Sequence, residues 1–213
     1  MAKLPDLLTP ALGRVWRSAM RDHGFQRAGR RDFVRVSGGI LHKFNFQISA
    51  FGSRDFCVNV AAFSIAGNDM PVLQPGFRLA APNGADVWLP SASADDAEKS
   101  AITMLQLAIF QALPFFAENS SYQQHARYLR GQRWGSEHHR WFEIGVAEAG
   151  SAEKARAIEA LKTAISYYIA DGREWCAVCI ERAEALISAI ESDRHSELLE
   201  QWYSQNSRIH RLH

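Results

Sequence analysis

The stretch FVRVSGGILHKFNFQISAFGSRDFCVNVAAF, residues 33–63, decides the fold. Ile40, His42, Phe44, Phe46 and Ile48 fall on one parity, and Leu41, Lys43, Asn45, Gln47 and Ser49 on the other. That period of two is the signature of a strand with one apolar face. Phe33-Val34-Arg35-Val36 reads as a short strand before it, and Gly38-Gly39 between them is a two-residue turn of the kind that closes a tight hairpin. Beyond Gly52-Ser53, Phe56, Val58, Val60 and Ala62 alternate with Cys57, Asn59, Ala61 and Phe63. The pattern predicts an antiparallel meander of three strands over residues 31–66.

Working outward, Thr9-Pro10 reads as a helix start, with threonine as the cap and proline at the first helical position. Leu12, Val15, Trp16, Ala19 and Met20 then recur at helical spacing until Gly24 stops the run. Residues 66–92 are rich in proline and glycine and read mostly as loop. Two short extended pieces are expected there, around Phe77-Arg78-Leu79 and around Val87-Trp88-Leu89, the second an edge strand stopped by Pro90. Ser93-x-x-Asp96 opens a helix by a variant capping box, and Ala101, Ile102, Leu105, Ala108, Ile109, Ala112 and Leu113 give it a wide apolar stripe before Pro114. The rest of the chain is helix-compatible, with segments near 121–130, 139–148, 152–170, 174–191 and 195–205. The expected fold class is α+β: an antiparallel sheet packed against an N-terminal and a middle helix, followed by an all-helical region. The expected organisation is a sheet domain over 1–118 and a helical extension over 119–213 packed on it.

Composition removes several function classes. With 47% hydrophobic and 22% charged residues the chain is neither disordered nor fibrous, and its apolar runs, broken by charges or prolines, predict no membrane-spanning helix. The N-terminus lacks the unbroken apolar stretch of a signal peptide, and three cysteines do not suggest a disulfide framework, so the expected location is cytoplasmic. A net charge of +1 argues against a general nucleic-acid or acidic-membrane binder. The charge is unevenly spread: residues 1–54 hold ten Lys/Arg against three Asp/Glu, and the remainder fourteen against twenty. Such asymmetry suits either an anionic partner or attraction between the halves within one fold.

The first half resembles a bacterial family designated domain of unknown function 4304. The resemblance rests on Gly24-Phe25-x-Arg27, Phe33-x-Arg35, Asn45-Phe46-Gln47-x-Ser49 and Phe56-x-Val58-Asn59-Val60. Arg78-Leu79, Trp88 and Ala112-Leu113-Pro114-Phe115 follow in the same order, so it covers roughly residues 7–118. It implies a fold and an extent, and no catalytic residue or cofactor.

No established catalytic fingerprint is present. Gly-x-Ser-x-Gly, the phosphate-binding glycine loops and His-Glu-x-x-His are all missing. Cys176-Ala-Val-Cys179, after Trp175, has the spacing of thiol oxidoreductases, but no proline follows Pro114 to face a disulfide and a helix precedes the pair. A structural cysteine pair within a helix is expected, and no pattern of further ligands makes it a zinc site. His138-His139 is expected in an exposed loop beside Trp141. These readings point away from an enzyme and imply no metal and no cofactor.

Two groups of residues carry recognition chemistry. Asn45, Gln47 and Asn59 share the polar parity of neighbouring strands, and with Arg78 nearby they form a candidate binding surface. Arg127, Tyr128, Arg130, Trp134 and Trp141 interleave guanidinium groups with aromatic rings, a composition that suits protein interfaces and single-stranded nucleic acid alike. The near-zero net charge favours a protein partner. The expected function is therefore a non-enzymatic protein–protein interaction module, in one concrete form an immunity protein that neutralises a toxin. A small-ligand binder or enzyme with a polar pocket on the sheet is the alternative, and nucleic-acid binding through the basic N-terminal part the third.

Overall fold

A computed structural model describes residues 5–67, 76–132 and 135–212. The meander forms as β2 (Asp32–Ser37), β3 (Ile40–Ile48) and β4 (Asp55–Ser64). Gly38 and Gly39 have φ of 53° and 83°, both in the left-handed region that the tight hairpin turn requires. A two-residue strand β1 (Gln26–Arg27), read as loop in the sequence, pairs antiparallel with β2. The remaining strands, β5 (Gly76–Arg78) and β6 (Leu89–Pro90), both pair with β4. Among the described residues the sheet has six strands in the order β1-β2-β3-β4-β5, with β6 off that path. The fold is α+β.

The chain divides into two compact units. A sheet unit takes the chain up to Arg35, with His42–Ala61 and Gly76–Ala117. A helical unit takes Val36–Leu41, the stretch from Ala62, and everything from Glu118 onward. The hairpin tip and the end of β4 thus group with the helices from Glu118 onward.

In the sheet unit, helix α1 (Leu8–Arg21) buries Leu8, Ala11, Leu12, Trp16 and Met20. Its start differs from expectation. Thr9 lies inside the first turn, and Asp6 receives the Thr9 N–H at 3.1 Å and the Thr9 hydroxyl at 2.7 Å. A carboxylate satisfies an orphan N–H there and faces the positive end of the helix. Trp16 is the centre of the apolar face. It packs on Phe33, Phe44 and Phe46 at 5.8, 5.2 and 4.6 Å, and its indole N–H donates to the Ala101 carbonyl at 2.9 Å.

That carbonyl belongs to α2 (Ala94–Leu107), opened by the expected Ser93–Asp96 capping box. Pro114 does not end the helical run. A π turn over Ala108–Ala112 leads straight into α3 (Leu113–Glu118). The Leu113 N–H reaches back to the Ala108 carbonyl. A wider turn makes room beside a proline that lacks an N–H and would crowd the preceding turn. The resulting run, Ala94–Glu118, is long and apolar enough to cross a membrane by length and composition, against the expectation that prolines keep such runs short. One side of it is core, through Ala97, Ala101, Met104, Ala108 and Ala112. The other exposes Ile102, Ile109 and Phe110.

The helical unit contains α4 (Tyr122–Arg130), α5 (Glu137–Gly150), α6 (Lys154–Asp171), α7 (Cys176–Glu191) and α8 (His195–Ile209). The stripes on α6 and α7 meet in one core that includes Val146, Leu161, Tyr168, Leu186 and Trp202. Small residues let these helices approach closely: a Cβ at Gly145 would come within 2.6 Å of Leu161 Cγ. The end of β4 is tied into this unit by polar groups. Asn206 donates to the Ile65 carbonyl at 2.8 Å, and the Ser64 N–H donates to the Glu143 carboxylate.

Candidate functional site

Strand alternation and register bring all four sheet residues together. Asn59 lies directly opposite Arg78 in the β4–β5 pairing, and the Arg78 Nε donates to Asn59 Oδ1 at 3.2 Å. The Asn59 amide donates to Asn45 Oδ1 at 3.2 Å and to Gln47 Oε1 at 3.1 Å. Asn45 in turn donates to Asp32 Oδ1 at 2.8 Å, and Lys43 pairs with the same oxygen at 3.6 Å. At the other end Arg78 pairs with Asp86 and lies over the half-exposed Trp88 ring at 5.3 Å. The result is a continuous polar ladder, Asp32–Asn45–Asn59–Arg78–Asp86, running across four strands and the loop after β5.

Arg78 depends on a close approach at the start of β5. A Cβ at Gly76 would overlap the Val60 carbonyl oxygen, so only glycine lets the backbone sit near enough to pair. Beside the ladder, on the same face of β4 as Asn59, lies Cys57, fully buried. Burial pushes its thiol pKa up, partly offset by the Arg78 guanidinium. It is therefore a protonated packing residue at neutral pH, not a nucleophile.

Sequence reasoning missed Asp32, Asp86 and Trp88 as members of this ladder. Asp32 falls on the parity of Val34 and Val36, so alternation within β2 does not mark it. Asp86 and Trp88 arrive through a loop closed by the Ala80–Asp86 bridge, and no periodicity marks them.

The aromatic–basic segment is arranged differently. Arg130 grips Glu148 with two bonds of 2.7 and 2.8 Å, and Arg156 adds a third contact to this enclosed carboxylate at 3.2 Å. Trp141 packs against the helical core, donates to Glu137 at 3.1 Å and lies under Arg130 and Arg140. Tyr128 is half-buried beside Leu129, and burial raises its pKa. Arg127 is exposed. Trp134 lies outside the described residues. Much of the segment's recognition chemistry is spent within the helical unit.

His138 and His139 are not in an exposed loop. They occupy the first turn of α5, where His138 is buried and His139 stacks on Trp175 at 5.2 Å. His139 Nδ1 lies 3.1 Å from the Tyr168 hydroxyl. Burial, then the neighbouring His138 and Arg173, lowers the His139 pKa to about 4. The unfolded ring titrates near 6.5, so between those values the unfolded chain binds the extra proton. Stability is full above pH 6.5 and falls as pH drops toward 4, by on the order of 2 kcal/mol. Thermal melts over that range should show this decline, and a His139→Phe variant should flatten it. An equally steep decline in the variant would assign the effect elsewhere.

Cys176 is the first residue of α7 and buried, Cys179 is half-buried, and neither forms a disulfide. Among the described residues no group of His, Cys, Asp and Glu is placed to hold a metal ion.

The elements that build the ladder coincide with a family match. The model of a domain of unknown function, DUF4304, matches residues 16–118. Residues 16–118 are a DUF4304 domain. The domain opens at Trp16, the centre of the sheet unit's aromatic core, and closes at the end of α3. It contains every ladder residue, whereas the aromatic–basic segment falls outside it. No curated protein and no solved structure gives a significant match.

Proposed function

We propose that this chain is a bacterial, cytoplasmic, non-enzymatic interaction protein that binds another protein through the polar face of its DUF4304 sheet. The ladder carries this reading. Its amides and guanidinium are already oriented by one another, so presenting them to a partner costs little ordering entropy. Arg78 over Trp88 puts at one end the two residue types that most often dominate binding energy. The same mutual saturation speaks against a reaction on this face, because the ladder side chains bond to each other rather than converge on a vacant point. Nucleic-acid binding is disfavoured by the fate of the basic residues. Arg14 pairs with Glu98, Arg31 with Asp6 and Lys43 with Asp32, while Arg35 and Arg54 bond to backbone carbonyls.

The concrete form proposed is an immunity protein that neutralises a toxin. The test is co-expression with the toxin candidate encoded by a neighbouring gene. The chain should co-purify with it and restore growth, and failure of both contradicts the proposal.

A further inference from the structure

The helical unit holds a cavity of about 420 Å³ that the sheet-face reading does not use. Ser196, Leu199, Glu200 and Tyr203 line one wall, an i, i+3, i+4, i+7 face of α8. Tyr122, the first residue of α4, and the Ala149–Gly150 end of α5 form the opposite wall. The Tyr122 ring is fixed in place, since a Cβ at Gly39 or Gly150 would meet it at 2.5 or 2.6 Å.

In contrast to the ladder, the polar groups around this cavity are unspent. Glu200 has no ion pair and the hydroxyls of Tyr122, Tyr203 and Ser196 have no hydrogen-bond partner among the described residues. His195, only 6% exposed, lines the same cavity and its enclosed Nδ1 is likewise without a partner. A buried polar atom left unsatisfied is costly and calls for a bonding partner that arrives from outside. Polar groups without a protein partner around a concave, partly apolar space are the usual form of a small-molecule site.

The lining also specifies the ligand's charge. Glu200 is its one carboxylate, and no lysine or arginine is present. Two tyrosines add neutral hydroxyls, and the C-terminal end of α5 presents the negative end of its dipole. Burial, with Glu143, Tyr203 and Glu200 nearby, pushes the Tyr122 pKa up to about 12, so its hydroxyl stays a neutral donor and acceptor. From this geometry we infer that the cavity binds a small organic ammonium ion, with its charge held by Glu200 and its N–H groups directed to the oxygens of Ser196, Tyr122 and Tyr203. The apolar remainder of such a ligand lies against Leu199, Ala149 and Ala152.

Calorimetric titration of the full chain with phenethylammonium, 2-phenylethanol and phenylacetate tests this. The three probes share shape and differ in charge. The ammonium should bind about tenfold or more tightly than the alcohol, and the carboxylate not detectably. Glu200→Gln should remove most of that preference. Glu197→Gln, on the same helix outside the cavity, should keep it. Glu200 is exposed, so both variants should melt with the parent protein. Equal affinity for ammonium and alcohol, preference for the carboxylate, no saturable binding of any probe, or equal loss in both variants would overturn the assignment. So would binding of a lysine-bearing peptide where the free ammonium fails.

Discussion

Replacing Trp16 by alanine is expected to cost about 4 kcal/mol of stability, the largest single loss in the sheet unit. The side chain is fully buried, three phenylalanine rings pack on it, and its N–H is spent on the Ala101 carbonyl. Alanine would remove the contacts of the whole indole and leave a cavity that β2, β3 and α2 cannot fill without moving. It would also strand that carbonyl only in part, since the helix itself can still engage it. Trp16→Phe keeps most of the volume and loses the hydrogen bond, so it should cost about 1.5 kcal/mol. Denaturant melts of the two variants check the order. A loss under about 1 kcal/mol for alanine would mean the aromatic cluster is not the unit's core.

The second large effect is expected at Glu143, inside the helical unit. Its carboxylate receives the Ser64 N–H, and Oε1 lies 3.3 Å from His125 Nε2. The other ring nitrogen of His125 is 2.8 Å from Asn119 Oδ1, so four buried polar residues from the end of β4, α4, α5 and the turn before α4 are linked. Glu143→Ala removes the shared acceptor and leaves the Ser64 N–H and the imidazole enclosed without it. The expected loss is about 3 kcal/mol. Glu143→Gln keeps an oxygen for the Ser64 N–H and should cost about 1 kcal/mol. The network resembles a hydrolytic triad only in residue types. Ser64 presents its backbone N–H to the carboxylate, while its hydroxyl receives the Gly67 N–H at 3.2 Å. Equal losses for the two substitutions would show that volume, not the polar network, matters at this position.

The meander could be read from sequence because alternation and the Gly-Gly turn are local properties. The parity that sorted Phe44 from Asn45 also sorted the core from the ladder. Asn45, Gln47 and Asn59 were therefore visible as neighbours before any coordinates. Arg78 was visible only as nearby, because its register opposite Asn59 depends on how the chain returns after β4. Trp88 and Asp86 depend on that return as well. In the aromatic–basic segment, the residue types that dominate interfaces also seal helix–helix contacts, and Arg130, Glu148 and Trp141 do the latter. The cavity on α8 left no mark in the sequence beyond a polar i, i+4 pair, since its other wall comes from three distant elements. Pro114 sits inside the helical run because a π turn, which no composition rule anticipates, absorbs it.

We propose the ladder as the partner-binding face. The most direct measurement is the affinity of the co-expressed toxin candidate for two variants of the chain. The double substitution Arg78→Ala, Trp88→Ala empties the ladder's exposed end, where the ion pair to Asp86 is solvent-exposed and adds little to stability. Arg127→Ala removes the exposed guanidinium of the aromatic–basic segment. The double variant should lose about 30-fold or more in affinity with an unchanged melting temperature, while Arg127→Ala should bind like the parent. Full affinity in the double variant, with loss confined to Arg127→Ala, would contradict the proposal.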